Sequence, residues 1–153
     1  MANTYTQLHI MTVWAVKYRH GLIAPDWKEN LYQYITGIVQ NRGHKLLRIN
    51  GMPDHVHLFF GLKPTESIST LMQQVKEQST KWINGQRLCR GKFEWQDGFG
   101  AFSYGHSQID DVVQYIINQE EHHQKKSFLE EYRQLLDAFE VPYDVRYLFQ
   151  EPV

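Results

Sequence analysis

The chain has 153 residues, 42% of them hydrophobic and 14% aromatic, which is enough for one domain with a real core. Its net charge of -1 makes no general case for a polyanion partner, and its one cysteine, Cys89, excludes an intrachain disulfide. No basic region followed by an apolar run opens the chain, and no apolar stretch is long enough to span a bilayer, so a cytoplasmic protein without a membrane partner is expected. The charge is unevenly spread. Residues 1–92 hold 12 Lys+Arg against 5 Asp+Glu, a balance of +7, and residues 93–153 hold 4 against 12, a balance of -8. A cationic front permits a polyanion on one face, and equally permits the acidic back to pack against it.

Residues 5–15 read as a first strand with bulky residues on both faces, hence a central one. Lys17, Arg19 and His20 follow in a basic loop. Pro25-Asp26 opens a helix to about Asn41, with Leu31, Tyr34, Ile35 and Ile38 as its apolar stripe and Gly43 at a left-handed cap. His44 to Ile49 is a second strand. Met52-Pro53-Asp54 makes a turn, and His55 to Gly61 is a third strand pairing antiparallel with the second.

A second helix runs from about Ser67 to Asn84, followed by an aromatic and basic connection over 85–98 and a short strand from Phe99 to Tyr104. A third helix is expected from a Ser107 cap, boxed by Asp110, to about Lys125. Another spans about Phe128 to Phe139 on Leu129, Tyr132, Leu135 and Leu136. The end, Val141 to Val153, reads as an irregular tail anchored by Tyr143, Tyr147 and Phe149. This order predicts an α+β fold: a ferredoxin-like βαββαβ sandwich with an antiparallel sheet and extra C-terminal helices. The whole chain, 1–153, is expected to be a single domain, with about 128–153 as a helical and irregular extension.

Chemistry concentrates at His55 and His57. Two apart on a strand, they share a face, and two imidazoles side by side can supply two ligands to one divalent ion. Packing histidines or a half-exposed pair would give the same spacing. On the third helix Tyr115 and Gln119 are i,i+4 and lie on one face. Their composition alone says no more than a packing aromatic and a solvated amide.

The stretch Gly51-Met52-Pro53-Asp54-His55-Val56-His57-Leu58 resembles the metal-binding strand of the HUH transposases, small single-tyrosine enzymes that move single-stranded insertion sequences. Tyr115-Ile116-Ile117-Asn118-Gln119 resembles their nucleophile helix, and the segment from Phe93 to Ser103, with Trp95-Gln96-Asp97-Gly98-Phe99, resembles their approach to the last sheet strand. The likeness runs from Tyr5 to about Tyr132.

It implies that His55, His57 and Gln119 bind a divalent metal, Mg2+ or Mn2+, and that Tyr115 is the nucleophile. It further implies a ferredoxin-like domain, a single-stranded DNA substrate with a hairpin, and cleavage and rejoining through a 5'-phosphotyrosine. A homodimer is also implied, in which the Tyr115 helix can act in trans. Candidate DNA contacts are Lys17, Arg19, Lys76, Lys81, Arg90 and Lys92, with Trp95 as a base-stacking candidate. Ordinary surface charge and core packing are the plainer readings of these. Glu94, Asp97 and His123 are candidates for tuning the metal from its second layer. The rival functions are a metal-dependent nuclease making net hydrolysis, and a host-retained hairpin-binding relative without transposition.

Overall fold

The computed structural model describes residues 3–153. Four strands, β1 (His9–Ala15), β2 (Lys45–Met52), β3 (His55–Gly61) and β4 (Gly100–Tyr104), form one sheet in the order β2-β3-β1-β4. Every neighbouring pair is antiparallel. With α1 (Lys28–Asn41) between β1 and β2, and α2 (Ile68–Gly85) between β3 and β4, this is the expected βαββαβ topology. The chain continues through α3 (Ile109–Ile117), α4 (Gln119–His123) and α5 (Phe128–Ala138). No helix among the described residues is long and apolar enough to cross a membrane.

The two faces of the sheet are covered by different parts of the chain. Directly opposed residues of an antiparallel pair share a face. The pairs Ile10↔Phe60, Thr12↔Leu58 and Trp14↔Val56 therefore define one side. There Trp14 meets Trp95 edge-on, and the Trp95 indole donates to Ser79 of α2. The pairs Met11↔Phe59, Val13↔His57 and Ala15↔His55 define the other side. Here α5 closes over the sheet, with Phe128 stacked on the His55 ring and Phe139, just past its end, against Phe102. Buried Phe or Leu side chains contribute about 2–3 kcal/mol each, so the aromatic residues of both layers carry much of the fold.

Turn chemistry fixes the third strand. A side chain on Gly51 would lie 2.2 Å from the His55 carbonyl, so only glycine lets β2 turn back into β3 here. At the far side Gly100 gives room to Tyr132 of α5: a Cβ there would sit 2.6 Å from its ring. Gly43, at φ 89°, ends α1 in the left-handed conformation expected of it.

Four expectations change. The third helix is not continuous: α3 ends at Ile117, and Asn118 (φ -91°, ψ 23°) breaks the run before α4. The Ser107 cap is not formed. Instead a 3-10 turn at His106–Gln108 precedes α3, and the Gln108 side chain accepts from the Gly105 N–H. The buried face of α5 is Phe128, Glu131, Tyr132 and Leu136, with Leu129 only partly covered. In the tail only Phe149 is an anchor, packed on Phe128 and Tyr132, while Tyr143 and Tyr147 are exposed. The chain end is held by backbone bonds: Val153 N–H donates to the Lys17 carbonyl, and Arg19 N–H to that of Val153, both at 2.9 Å.

Candidate metal centre

His55 and His57 reach the site because β3 sets them on the face that α5 covers, and both are fully buried. Asp54, at the end of the turn, places its carboxylate 2.7 Å from His55 Nδ1. That contact orients the ring and turns Nε2 inward, the arrangement by which carboxylates commonly prepare metal-binding imidazoles. The α3 helix is held against β2 by Asn50, whose amide donates to the Ile116 carbonyl at 2.9 Å and that of Ile117 at 3.3 Å. These are end carbonyls of a helix, which lack partners within the helix itself. Through this brace Tyr115 stands edge-on to the His57 ring, 5.8 Å between centroids.

The residue on which all of these converge is Glu131 of α5. Its Oε1 lies 3.0 Å from His57 Nε2, 3.2 Å from His123 Nε2 and 3.5 Å from His55 Nε2. Its Oε2 accepts from Gln119 Nε2 at 3.1 Å and from the Tyr115 hydroxyl. Gln119 turns its own Oε1 to His55 Nε2, at 3.1 Å. His55, His57, Gln119 and Glu131 are all inaccessible or nearly so, with Glu131 the most exposed at 2%.

Burial and charge act against each other here. Burial opposes a charged His55, but Asp54 on one nitrogen and Glu131 near the other outweigh it and push its pKa up to about 9. His57 has only Glu131 as a counter-charge, and burial wins, lowering its pKa. Burial would raise Glu131, yet hydrogen bonds from His123, His55 and His57 hold its carboxyl far below the usual range. The Tyr115 phenol is pushed well above its ordinary value, first by burial and then by the Glu131 charge.

This donor set fits a divalent ion. His55, His57 and Glu131 each offer a ligand atom, all within 4.8 Å of one another, so the cluster is capable of coordinating one. Two imidazoles and a carboxylate suit Mn2+, Co2+ or Zn2+ as well as Mg2+. Among the described residues His57 Nδ1 has no partner, so that ring is held by its Nε2 contact with Glu131 and by packing.

Of the other residues singled out from the sequence, His123 is brought to the site and touches Glu131. Glu94 is not: it pairs with Lys17 at 3.3 Å and Lys92 at 3.4 Å. Asp97 lies by Lys76 and has no hydrogen bond to the histidines or their partners. The two belong to a groove shared with Lys17, Lys76, Lys81 and Trp95. Within it the Lys76 ammonium is committed to the Gln96 and Gly98 carbonyls, and burial pushes its pKa down to about 8. Trp95 is 7% exposed and belongs to the core, so it has no free face for a base. Lys81 pairs with Glu77, while Arg19 and Arg90 are exposed.

Sequence reasoning missed Glu131, Asp54 and Asn50. Glu131 carried a readable signal: it lies three residues after Phe128, on the face of α5 that also carries Tyr132 and Leu136. An acid on an apolar stripe needs a partner. Asp54 and Asn50 carried none, since both are ordinary turn residues by type.

Residues 4–119 match the family model described as "Transposase IS200 like". The chain is 29% identical over 75 residues to the ISDra2 transposase TnpA of Deinococcus radiodurans, a match covering 49% of this chain and 54% of that protein. The chain thus spans about half the length of the curated relative it matches. A crystal structure at 1.90 Å of a D. radiodurans R1 protein assigned to the transposases aligns with TM-score 0.61 and 24% identity, covering 78% of this chain and 95% of that one. A REP-associated tyrosine transposase bound to a REP hairpin aligns with TM-score 0.60 and 16% identity, covering 80% and 73%. At these identities the two structures show a shared fold. The matched segment includes both strand histidines, Tyr115 and Gln119, and it covers most of the chain: the protein belongs to the IS200-like transposase family.

Proposed function

We propose that this protein cleaves and rejoins single-stranded DNA, with Tyr115 as nucleophile and a divalent ion, Mg2+ or Mn2+, held by His55 and His57 with help from Gln119. The observation that carries this reading is the meeting of the Tyr115 hydroxyl, both histidine Nε2 atoms and the Gln119 amide around one buried carboxylate. An ion bound there would draw charge from a phosphodiester and orient it. Tyr115 is placed by the Asn50 brace and by the His57 ring beside it. Its oxygen would attack phosphorus, forming a tyrosine–phosphate bond as the bond to the 3'-oxygen breaks. The phenol proton ends on the released 3'-hydroxyl, so atoms and charge balance. The phosphodiester energy is kept, and a second 3'-hydroxyl can reverse the step without ATP.

The substrate we infer is a strand bearing a hairpin, supported by the family and by the cationic front half. Exposed Arg19 and Arg90 are the better phosphate candidates. Lys17, Lys81 and Lys92 would first leave acidic partners, and Lys76 would leave two carbonyls. We read the chain 1–153 as one transposase domain whose extension, about 128–153, completes the centre with Glu131. Tyr115 faces His57 of its own chain, which supports action in cis, in contrast to the helix exchange that the resemblance allows. The full burial of the centre favours one second reading, a hairpin-binding relative that no longer cuts.

A covalent-trapping assay separates them. Purified protein is mixed with labelled, hairpin-bearing single strands and Mn2+ and resolved on denaturing gels. A protein–DNA adduct that disappears with EDTA and in Tyr115→Phe is the expected result. Binding without an adduct favours the second reading, and free 5'-phosphate product without an adduct would show net hydrolysis instead.

A further inference from the structure

The centre as folded is closed. His55, His57 and Gln119 expose nothing, and Glu131 exposes 2%. No phosphodiester can reach those imidazoles until a covering element leaves. The cover is α5, which enters after the polar link Gln124-Lys125-Lys126-Ser127 and lies beyond the residues that match the family model. It is therefore an element this chain adds to the matched segment.

Glu131 is not a passive part of that cover. One of its oxygens faces the histidine nitrogens, and the other takes the Tyr115 hydroxyl. The carboxylate thus spans from the metal ligands to the nucleophile, the same span a phosphate must bridge for Tyr115 to attack it. Its hydrogen-bond distances also match the spacing of donors around one ion. Donors bound to one ion at about 2.1 Å stand about 3.0 Å apart in an octahedron and about 3.4 Å in a tetrahedron. Glu131 Oε1 lies 3.0 Å from His57 Nε2 and 3.5 Å from His55 Nε2, and Gln119 Oε1 lies 3.1 Å from His55 Nε2.

We propose that Glu131 is an exchangeable metal ligand: it completes a His55, His57, Glu131 site while no DNA is bound, and yields its place to the scissile phosphate as α5 lifts away. The proposal rests on the reading of this centre as a metal-dependent single-strand site. It makes metal binding and α5 docking one linked equilibrium, because an ion that binds only the docked form stabilises that form. It also gives the DNA-free protein a resting state in which the ion is closed off from water and the Tyr115 hydroxyl is engaged by Glu131.

The test uses the full chain in three parts. Calorimetric titration with Mn2+ in the absence of DNA should show affinity at least about tenfold weaker in Glu131→Gln than in the parent. Unchanged affinity would overturn the ligand role. Second, trypsin cleavage at Lys125, Lys126 and Arg133 is followed in Tyr115→Phe protein, which needs no change at Glu131. Mn2+ should slow these cuts, and a pool of hairpin-bearing single strands should speed them again. Protection that the strands leave untouched would overturn the exchange. Third, at saturating Mn2+ Tyr132→Ala, which removes the ring that seats α5 over Gly100 and leaves every donor atom in place, should form adduct at least as fast as the parent. A loss there would make a docked α5 part of the reacting state and overturn the proposal. Failure of the transposase reading looks different: the metal and trypsin results hold and no variant forms an adduct.

Discussion

Asp54 is a small residue with a large assigned effect. Its carboxylate meets His55 Nδ1 at 2.7 Å, while the corresponding nitrogen of His57 has no partner among the described residues. Only His55 is therefore aimed through its Nδ1, while His57 is held by its Nε2 contact with Glu131 and by packing. Asp54→Ala should lower Mn2+ affinity about 10–100-fold with little change in the melting temperature, measured by calorimetric titration beside thermal unfolding. A second residue far from the centre contributes to the response to acid. Glu66 joins Arg42 to the buried His44, whose other nitrogen accepts from the Lys63 N–H at 2.9 Å. The hydrogen bond from Arg42 outweighs burial and brings the Glu66 pKa down to about 2. The folded value lies below the unfolded value of about 4.3, so the stabilisation is present above that pH and is lost as pH falls toward 2. Chemical denaturation between pH 5 and pH 2 (about the window of the shift) should show a shallower loss of stability in Glu66→Gln than in the parent. Equal slopes would place the acid response elsewhere.

At the scale of elements, the break at Asn118 decides where the nucleophile stands. It ends α3 at Ile117, and Asn50 of β2 satisfies the freed carbonyls. Asn50→Leu removes that donor and leaves a partly buried carbonyl unpaired, a loss of about 1–3 kcal/mol. For a chain of this size that is a fall of a few degrees in melting temperature, about 2–4 °C per kcal/mol. Adduct formation should fall further than stability alone explains, because Tyr115 loses its placement. An unaltered adduct rate at a temperature where the variant is folded would show that α3 is held by other contacts. The same elements show what the sequence can and cannot reveal. The third strand was legible to the residue, since a period of two puts both histidines on one face and Pro53 marks the turn before it. The break in the third helix was not, because neither Gly nor Pro lies there and Asn118 opens a polar run that reads as a helix continuing. The path of α5 across the sheet was also hidden. Its docking depends on Gly100 making space for Tyr132, a contact between residues 32 positions apart in the sequence that no local pattern encodes. Glu131 lay in between: its place on an apolar stripe was visible, its partners were not.

Over the whole molecule, the layers assign the work. The βαββαβ body supplies the histidines, and the three C-terminal helices cover the open face of the sheet and supply Tyr115, Gln119 and Glu131. The tail then runs back to the end of β1, where Val153 pairs with Lys17 and Arg19 and Phe149 packs on Phe128, so that the chain end steadies the helix bearing Glu131. The cis reading proposed for Tyr115 is therefore a statement about which protomer each group serves. The prediction follows from mixing two inactive proteins. Tyr115→Phe keeps the metal ligands and lacks the nucleophile, while His57→Ala keeps the nucleophile and lacks a ligand. If Tyr115 serves its own chain, an equimolar mixture incubated with Mn2+ and hairpin-bearing strands should form no more adduct than either variant alone. If the tyrosine helix crosses between subunits, mixed dimers carry one intact site, and adduct should return to a sizeable fraction of the parent level. Recovery of that kind would require α3 and α4 to leave the contacts with Asn50 and His55, and would place the structure's own-chain arrangement outside the catalytic cycle.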